Sequence, residues 1–175
     1  MRVISGKYKG KRLQGFDIEG TRPTMDRVKE SLFGMIQEKI KDSICLDLFA
    51  GSGSLGIEAL SNGASQCYFV DCHKEISKIL KQNLSGIENS IILEKDYKMA
   101  LKELQVSSFD IIFLDPPYKD NLITPSLHLI SQYHLLNEDG MIICEYETEE
   151  IETDLLCVKE KKYGSKKIKI YKKKK

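Results

Sequence analysis

From Ser43 onward the chain alternates short apolar runs with segments of helical period, and this alternation constrains the fold more than any other feature. The order is ICLDLF then LGIEALSNG, CYFVD then KEISKILKQNL, SIILEKD then YKMALKEL, FDIIFLD then PSLHLISQYHLL, and last MIICEY. Continuous apolar strands are buried on both faces, which calls for a parallel sheet with helices on each side. Right-handed crossovers make that sheet doubly wound. Thr124-Pro125 reads as an N-cap and first helical residue, and Gly63 and Gly86 as helix stops. LLCVKEKKYGSKKIKIY reads as two antiparallel strands joined around Tyr163-Gly164.

A chain of 175 residues builds one buried core with at most a small appendage. No apolar run approaches the ~18 residues of a membrane span, and MRVISGKYKG lacks the apolar segment of a secretion signal. The five cysteines, 45, 67, 72, 144 and 157, form no CxxC pair and read as buried reduced thiols of a cytoplasmic protein. The net charge of +1 hides an asymmetry. Residues 1–41 carry ten Lys/Arg against five Asp/Glu, 42–158 seven against twenty, and 159–175 ten against one. Basic ends of this kind suit a polyanion, around a centre that tolerates or requires carboxylates; Lys172 to Lys175 read as a solvated tail.

RVISGKYKGKRLQGF alternates like a twisted basic β-hairpin, so residues 1–20 are expected as a hairpin ahead of a main domain at 21–175. In TRPTMDRVKESLFGMIQEKI, Val28, Leu32, Met35, Ile36 and Ile40 share one helical face, with Thr24 as N-cap. This helix is expected over the carboxyl ends of the strands, where open α/β sheets bind ligands.

DLFAGSGSLG places Gly51, Gly53 and Gly56 between a strand and a helix, with Asp71 at the end of the next strand in the position of a ribose-binding acid. Alone this would suit a dinucleotide. Asp47 opposes that reading, because at ~4 Å and an effective dielectric of 20 it repels a phosphate by about 4 kcal/mol. S-adenosylmethionine removes the conflict: it has no phosphate and carries an ammonium and a sulfonium. Asp71 then accepts from both ribose hydroxyls, and Asp96, closing SIILEKD, from the adenine amine. The bland alternatives are that Asp47 caps a loop N–H and that Asp96 is a solvated turn residue.

FDIIFLDPPY ends a strand with Asp115, Pro116, Pro117 and Tyr118. The prolines fix φ and cannot donate to a ladder, so the chain leaves the sheet abruptly. Asp115 and the Pro116 carbonyl can take the hydrogens of a planar NH2 group while Tyr118 stacks on its ring. Methyl transfer to such a nitrogen moves positive charge onto it, which nearby acceptors stabilise. No strong base is required, and histidines 73, 128 and 134 have no evident catalytic partner; the bland reading of DPPY is a rigid turn. No Pro-Cys pair is present for carbon methylation, and no metal is expected.

RVISGKYKGKRL, TRPTMDRVKESLF, LDLFAGSGSLGIEALSNGA and FLDPPY together resemble the RsmD family of class I S-adenosylmethionine-dependent methyltransferases, which methylate the N2 amine of a guanine in small-subunit (16S) ribosomal RNA. The resemblance implies a Rossmann-like, seven-stranded, mostly parallel sheet with an antiparallel C-terminal hairpin. It also implies a cofactor pocket at Asp47, Phe49, Ala50, Gly51, Ser52, Gly53, Asp71 and Asp96, a target pocket at Asp115 to Tyr118, Thr24 near the cofactor, and Arg22 and Arg27 near RNA. Where the family often has a second acid after the ribose acid, this chain has His73.

Arg2, Lys7, Lys9, Lys11 and Arg12, with Tyr8 among them, suit phosphates and base stacking, although lysines also guard edge strands. The expected partner is 16S rRNA or an assembling small subunit, with no membrane, and the protein a monomer. Rival readings are transfer to another amine (adenine N6 or a protein glutamine amide), an NAD-dependent oxidoreductase, and a silent RNA-binding module.

Overall fold

The computed structural model describes residues 1–15 and 22–175, with side chains described for 1–15 and 26–175. Helices α1 (Arg22–Ile40), α2 (Ser54–Ser61), α3 (Lys74–Asn83), α4 (Tyr97–Glu103) and α5 (Ile123–Gln132) surround one sheet. Its strands are β1 (Ile44–Asp47), β2 (Gln66–Val70), β3 (Ser90–Leu93), β4 (Phe109–Leu114), β5 (Leu136–Tyr146), β6 (Leu156–Tyr163) and β7 (Lys166–Lys172), in the order β3-β2-β1-β4-β5-β7-β6. The pairs β3-β2, β2-β1, β1-β4 and β4-β5 are parallel; β5-β7 and β7-β6 are antiparallel. This is the seven-stranded mixed sheet that the resemblance implies, with strand order reversing between β1 and β4, the switch point where such sheets bind ligands.

Strand period divides the core in two. Cys45, Phe69, Ile111, Phe113, Ile143 and Ile168 point to one face, beneath α1, α2 and α3. Leu46, Val70, Ile112, Leu114, Ile142 and Tyr171 point to the other, beneath α4 and α5. The expected stripe of α1 is buried at Val28, Leu32, Ile36 and Ile40, with Phe33 added, its ring centroid 5.8 Å from that of Phe113 and tilted by 33°. The helix lies along the sheet face, and its Asp26, Val28, Lys29 and Leu32 line one cavity with Asp115 at the carboxyl ends of the strands.

Two helix starts also differ from expectation. Helix α1 begins at Arg22, so Thr24 lies inside it rather than at its cap. Helix α5 begins at Ile123, before Thr124-Pro125. Its free amides at Ile123 and Thr124 are satisfied from a distance by the Glu149 carboxylate, at 3.1 and 2.8 Å, so no local cap residue is needed. Gly63 and Gly86 follow α2 and α3 at φ 104° and 78°, conformations that favour glycine. Cys45, Cys67 and Cys144 are buried as expected, whereas Cys72 and Cys157 are exposed. Among the described residues, no helix is long and apolar enough to cross a membrane.

The N-terminal segment is a hairpin closed by an Arg2–Arg12 bridge, with Val3 and Leu13 buried in the α1–α3 side of the core. Two residues of α2 hold it: Glu58 accepts from Ile4 N, Ser5 N and Ser5 Oγ at 2.9–3.1 Å, and Ser61 accepts from Lys7 N and Tyr8 N at 2.8 and 2.9 Å. Asn83 adds a reciprocal pair to Gln14, both bonds 2.8 Å.

Candidate active site

Strand register assembles the site. Asp47 pairs with Phe113 across β1 and β4, Phe113 with Ile143 across β4 and β5, and Leu114 with Cys144. Side chains two residues apart share a face, so Asp47, Asp115 and Glu145 all fall on the α1 side of three adjacent strands, Asp115 and Glu145 one pleat beyond Asp47. On β7, Ile168 opposes Glu145, which puts Lys166 on the same face. Asp115, Glu145 and Lys166 line a cavity of about 60 Å³, roofed by Asp26, Val28, Lys29 and Leu32 of α1.

Glu145 is the hub of this group. It is 8% exposed, its Oε1 accepts from the Tyr118 hydroxyl at 3.2 Å, and Lys166 Nζ lies 3.4 Å from the same oxygen. Tyr118 begins a short 3-10 turn, Tyr118–Asp120, after Pro117 at φ −55°. The prolines end β4 as expected, and Glu145 fixes where the ring then sits. Burial raises the Asp115 carboxyl well above the usual carboxylate range, and the neighbouring Glu145 carboxylate raises it further; Lys166 opposes both. Burial, then Glu145 and Asp115, also push the Tyr118 phenol up.

The glycine loop has a different local logic. Asp47 is 1% exposed and its Oδ2 accepts from Gly56 N at 3.1 Å, in the first turn of α2. The capping alternative is therefore realised. Burial raises the Asp47 carboxyl to about 7, with the Gly56 N–H lowering it and Asp71 raising it. Gly53 adopts φ 86°, and a Cβ at Gly56 would stand 2.3 Å from the Phe69 ring, so the third glycine brings α2 against β2. Asp71 spans loop and helix: Oδ2 accepts from Gly51 N at 3.0 Å, Oδ1 from His73 N at 3.1 Å. Asp96 caps α4 through Lys98 N at 3.0 Å and is exposed.

Phe49 packs against Tyr97 with ring centroids 5.4 Å apart and planes tilted by 47°, and Ala50 is buried with its N–H on the Val70 carbonyl. Ser52 is buried beneath Met1, 3.8 Å from its sulfur, while its carbonyl accepts from Asn83. Its hydroxyl thus faces the hairpin. The Arg22 and Thr24 side chains lie outside the described residues.

Among the basic residues, Arg2, Lys7, Lys9 and Arg12 are exposed. Arg2, Arg12 and Arg27 line one open groove of about 610 Å³ between the hairpin and α1, together with Asp26 and Glu30. Lys11 and Tyr8 are not free. Lys11 Nζ donates to the Ser85 carbonyl, and Tyr8 packs against the core with its hydroxyl accepting from Glu88 N at 3.3 Å. The short hairpin docks on the loop after α3, which removes Tyr8 as an open stacking platform.

Sequence reasoning missed Glu145, Lys166 and the buried pair Lys29 and Glu58. Glu145 had a signal: an acid replacing an apolar residue on the period of Met141 and Ile143, at the carboxyl end of MIICEY. For Lys29, a cation beside Val28 on the apolar stripe of α1 was the signal.

A family model described as "Conserved hypothetical protein 95" matches residues 1–172. A Bacillus subtilis protein named "Putative rRNA methyltransferase YlbH" is 42% identical over 182 residues, 99% of each chain. "Ribosomal RNA small subunit methyltransferase D" of Haemophilus influenzae is 39% identical over 152 residues, 84% of this chain and 79% of that one. A solved structure titled "Putative methyltransferase yhhF from Escherichia coli" superposes with a TM-score of 0.87 at 30% identity, over 99% of this chain and 98% of that one.

Proposed function

Because this chain belongs to the RsmD family, we propose that it transfers a methyl group from S-adenosylmethionine to the exocyclic N2 amine of a guanine in 16S ribosomal RNA, free or in an assembling small subunit. The observation that carries this reading is the adjacency of β1 and β4, which sets the glycine loop beside Asp115 at one end of the sheet.

The donor set fits the cofactor. Carboxylates close β1, β2 and the segment after β3, and Gly51 and Gly53, both at positive φ, leave backbone rather than side chain to line the loop. Phe49 to Gly53, Asp71 and Asp96 hold the cofactor, with Thr24 near it. The buried Asp47 braces the loop and favours positive charge from behind it. When bound, S-adenosylmethionine supplies an electrophilic methyl group on a sulfonium.

The rest is done by the chain. Asp115 and the Pro116 carbonyl orient the amine, Pro117 holds the turn rigid, and Tyr118 stacks on the base. As the N–C bond forms and the S–C bond breaks, Asp115 stabilises the charge on nitrogen. In its ionised form Asp115 then takes the proton that nitrogen releases. Lys7, Lys9 and Arg12 belong to the RNA-facing hairpin ahead of the catalytic unit, while Tyr8 and Lys11 anchor that hairpin to the loop after α3. Arg2, Arg12 and Arg27, with Arg22, grip phosphates flanking the splayed-out guanine. The protein acts as a monomer in the cytoplasm.

The test is transfer of tritiated methyl to small subunits from a strain lacking the gene, with digestion and mass spectrometry of the RNA. Label in N2-methylguanosine of 16S rRNA is expected; label in adenine, in protein, or nowhere would overturn the proposal.

A further inference from the structure

Across the sheet, consecutive strands present Asp115 (β4), Glu145 (β5) and Lys166 (β7) to one cavity, with the glycine loop on the far side of Asp115, after β1. That order is acceptor, acceptor, donor, counted from the cofactor side. The Watson–Crick edge of guanine reads, in order, an N2 amine donor, an N1–H donor and an O6 acceptor. Adenine offers its amine next to an N1 acceptor, which a carboxylate repels.

Building on the function proposed above, we propose that Glu145 and Lys166 select guanine, Glu145 accepting from N1–H and Lys166 donating to O6 while Asp115 takes the N2 amine. The arrangement matches in direction as well as in kind. The amine falls on the strand nearest the cofactor loop, and O6 on the strand farthest from it. The cavity, about 60 Å³, admits the edge of a base rather than a whole base, so the ring remains at its mouth. The Tyr118 hydroxyl, 3.2 Å from Glu145 Oε1, ties the stacking group to the selecting one. In the free protein Lys166 stands 3.4 Å from that same oxygen and keeps the buried acid paired. Neither residue is needed for methyl transfer as such; they decide which amine enters.

The test uses small subunits reconstituted on 16S rRNA carrying either guanine or 2-aminopurine at the mapped position. 2-Aminopurine keeps the amine but has an N1 acceptor and no O6. The wild-type protein is expected to methylate it roughly 10- to 100-fold more slowly than guanine. Glu145→Gln should narrow that gap, since an amide can donate to N1, with unchanged affinity for S-adenosylhomocysteine. Lys166→Met should slow only the guanine reaction. Equal wild-type rates on the two bases, or an equal loss on both in Glu145→Gln, would overturn the inference while leaving the methyltransferase reading intact. No transfer to the guanine particle would remove that reading and this inference with it.

Discussion

Lys29 Nζ lies 3.2 Å from Glu58 Oε1, and neither side chain is more than 5% exposed. The same ammonium donates to the Arg2 carbonyl at 2.8 Å and to Ser54 Oγ at 2.9 Å. One buried ion pair therefore joins α1, α2 and the N-terminal hairpin beside the cavity that Asp115 and Glu145 line. Burial lowers the Lys29 pKa, and Glu58 opposes that effect. The pair is sustained by these surrounding hydrogen bonds, since two desolvated charges gain little from each other alone.

Removing one partner strands the other. Glu58→Gln is expected to destabilise the fold by about 3–5 kcal/mol, and Lys29→Met similarly, whereas the Lys29→Met/Glu58→Gln double variant should lose less than the sum. Urea unfolding of the four proteins measures the coupling, and additive losses would show that the pair is not a unit.

Asp47 gives a pH signature. Its carboxyl, raised by burial to about 7, holds a proton in the folded protein between about pH 4 and 7, where the unfolded chain has released it. Folded protein thus binds more protons in that window, and stability falls as pH rises through it. Asp47→Asn can still accept from Gly56 N and removes this loss. It should be more stable than wild type above pH 7, by at most about 4 kcal/mol, with the difference vanishing toward pH 4. Denaturation midpoints across pH 4–8 check this, and calorimetry should show the variant binding S-adenosylmethionine more weakly.

Asp115→Ala is expected to reduce methyl transfer by about 10²–10³-fold while leaving affinity for S-adenosylhomocysteine nearly unchanged. Single-turnover rates and calorimetry separate the two effects. An equal loss in both would place Asp115 in the cofactor pocket instead.

Arg2, Arg12 and Arg27 line one groove. Their combined replacement by Ala should weaken RNA binding and lower the slope of log affinity against log salt by about 2–3. Lys11→Ala, which loses a contact to the Ser85 carbonyl, should change that slope less. Filter binding at several salt concentrations distinguishes the two sets.

Much of this molecule was legible before its structure. Each continuous apolar run became a strand within a few residues of its expected bounds, because β1, β2 and β4 are covered on both faces and admit few polar side chains. GSGSLG and DPPY both stood out, since each needs backbone that only glycine or proline supplies cheaply. Glu145 stayed hidden. It is 30 residues from Asp115, and only the parallel β4–β5 register sets the two side by side. Lys166 needed in addition the antiparallel return of β7. Glu149 capping α5 and Glu58 clasping residues 4 and 5 were hidden for the same reason: an acid's partner is a matter of distance in space.

The strand-and-helix alternation, the turn chemistry of the glycine loop and the rigid exit after Asp115 were written in the order of residues, because each depends on a local period or a restricted φ. That Asp47 turns inward to cap α2, that α1 lies along the sheet face, and that Asp115, Glu145 and Lys166 share one cavity follow from the assembled fold. Those outcomes depend on which strands become neighbours and in what register, and it is the burial of the whole sheet that sets them.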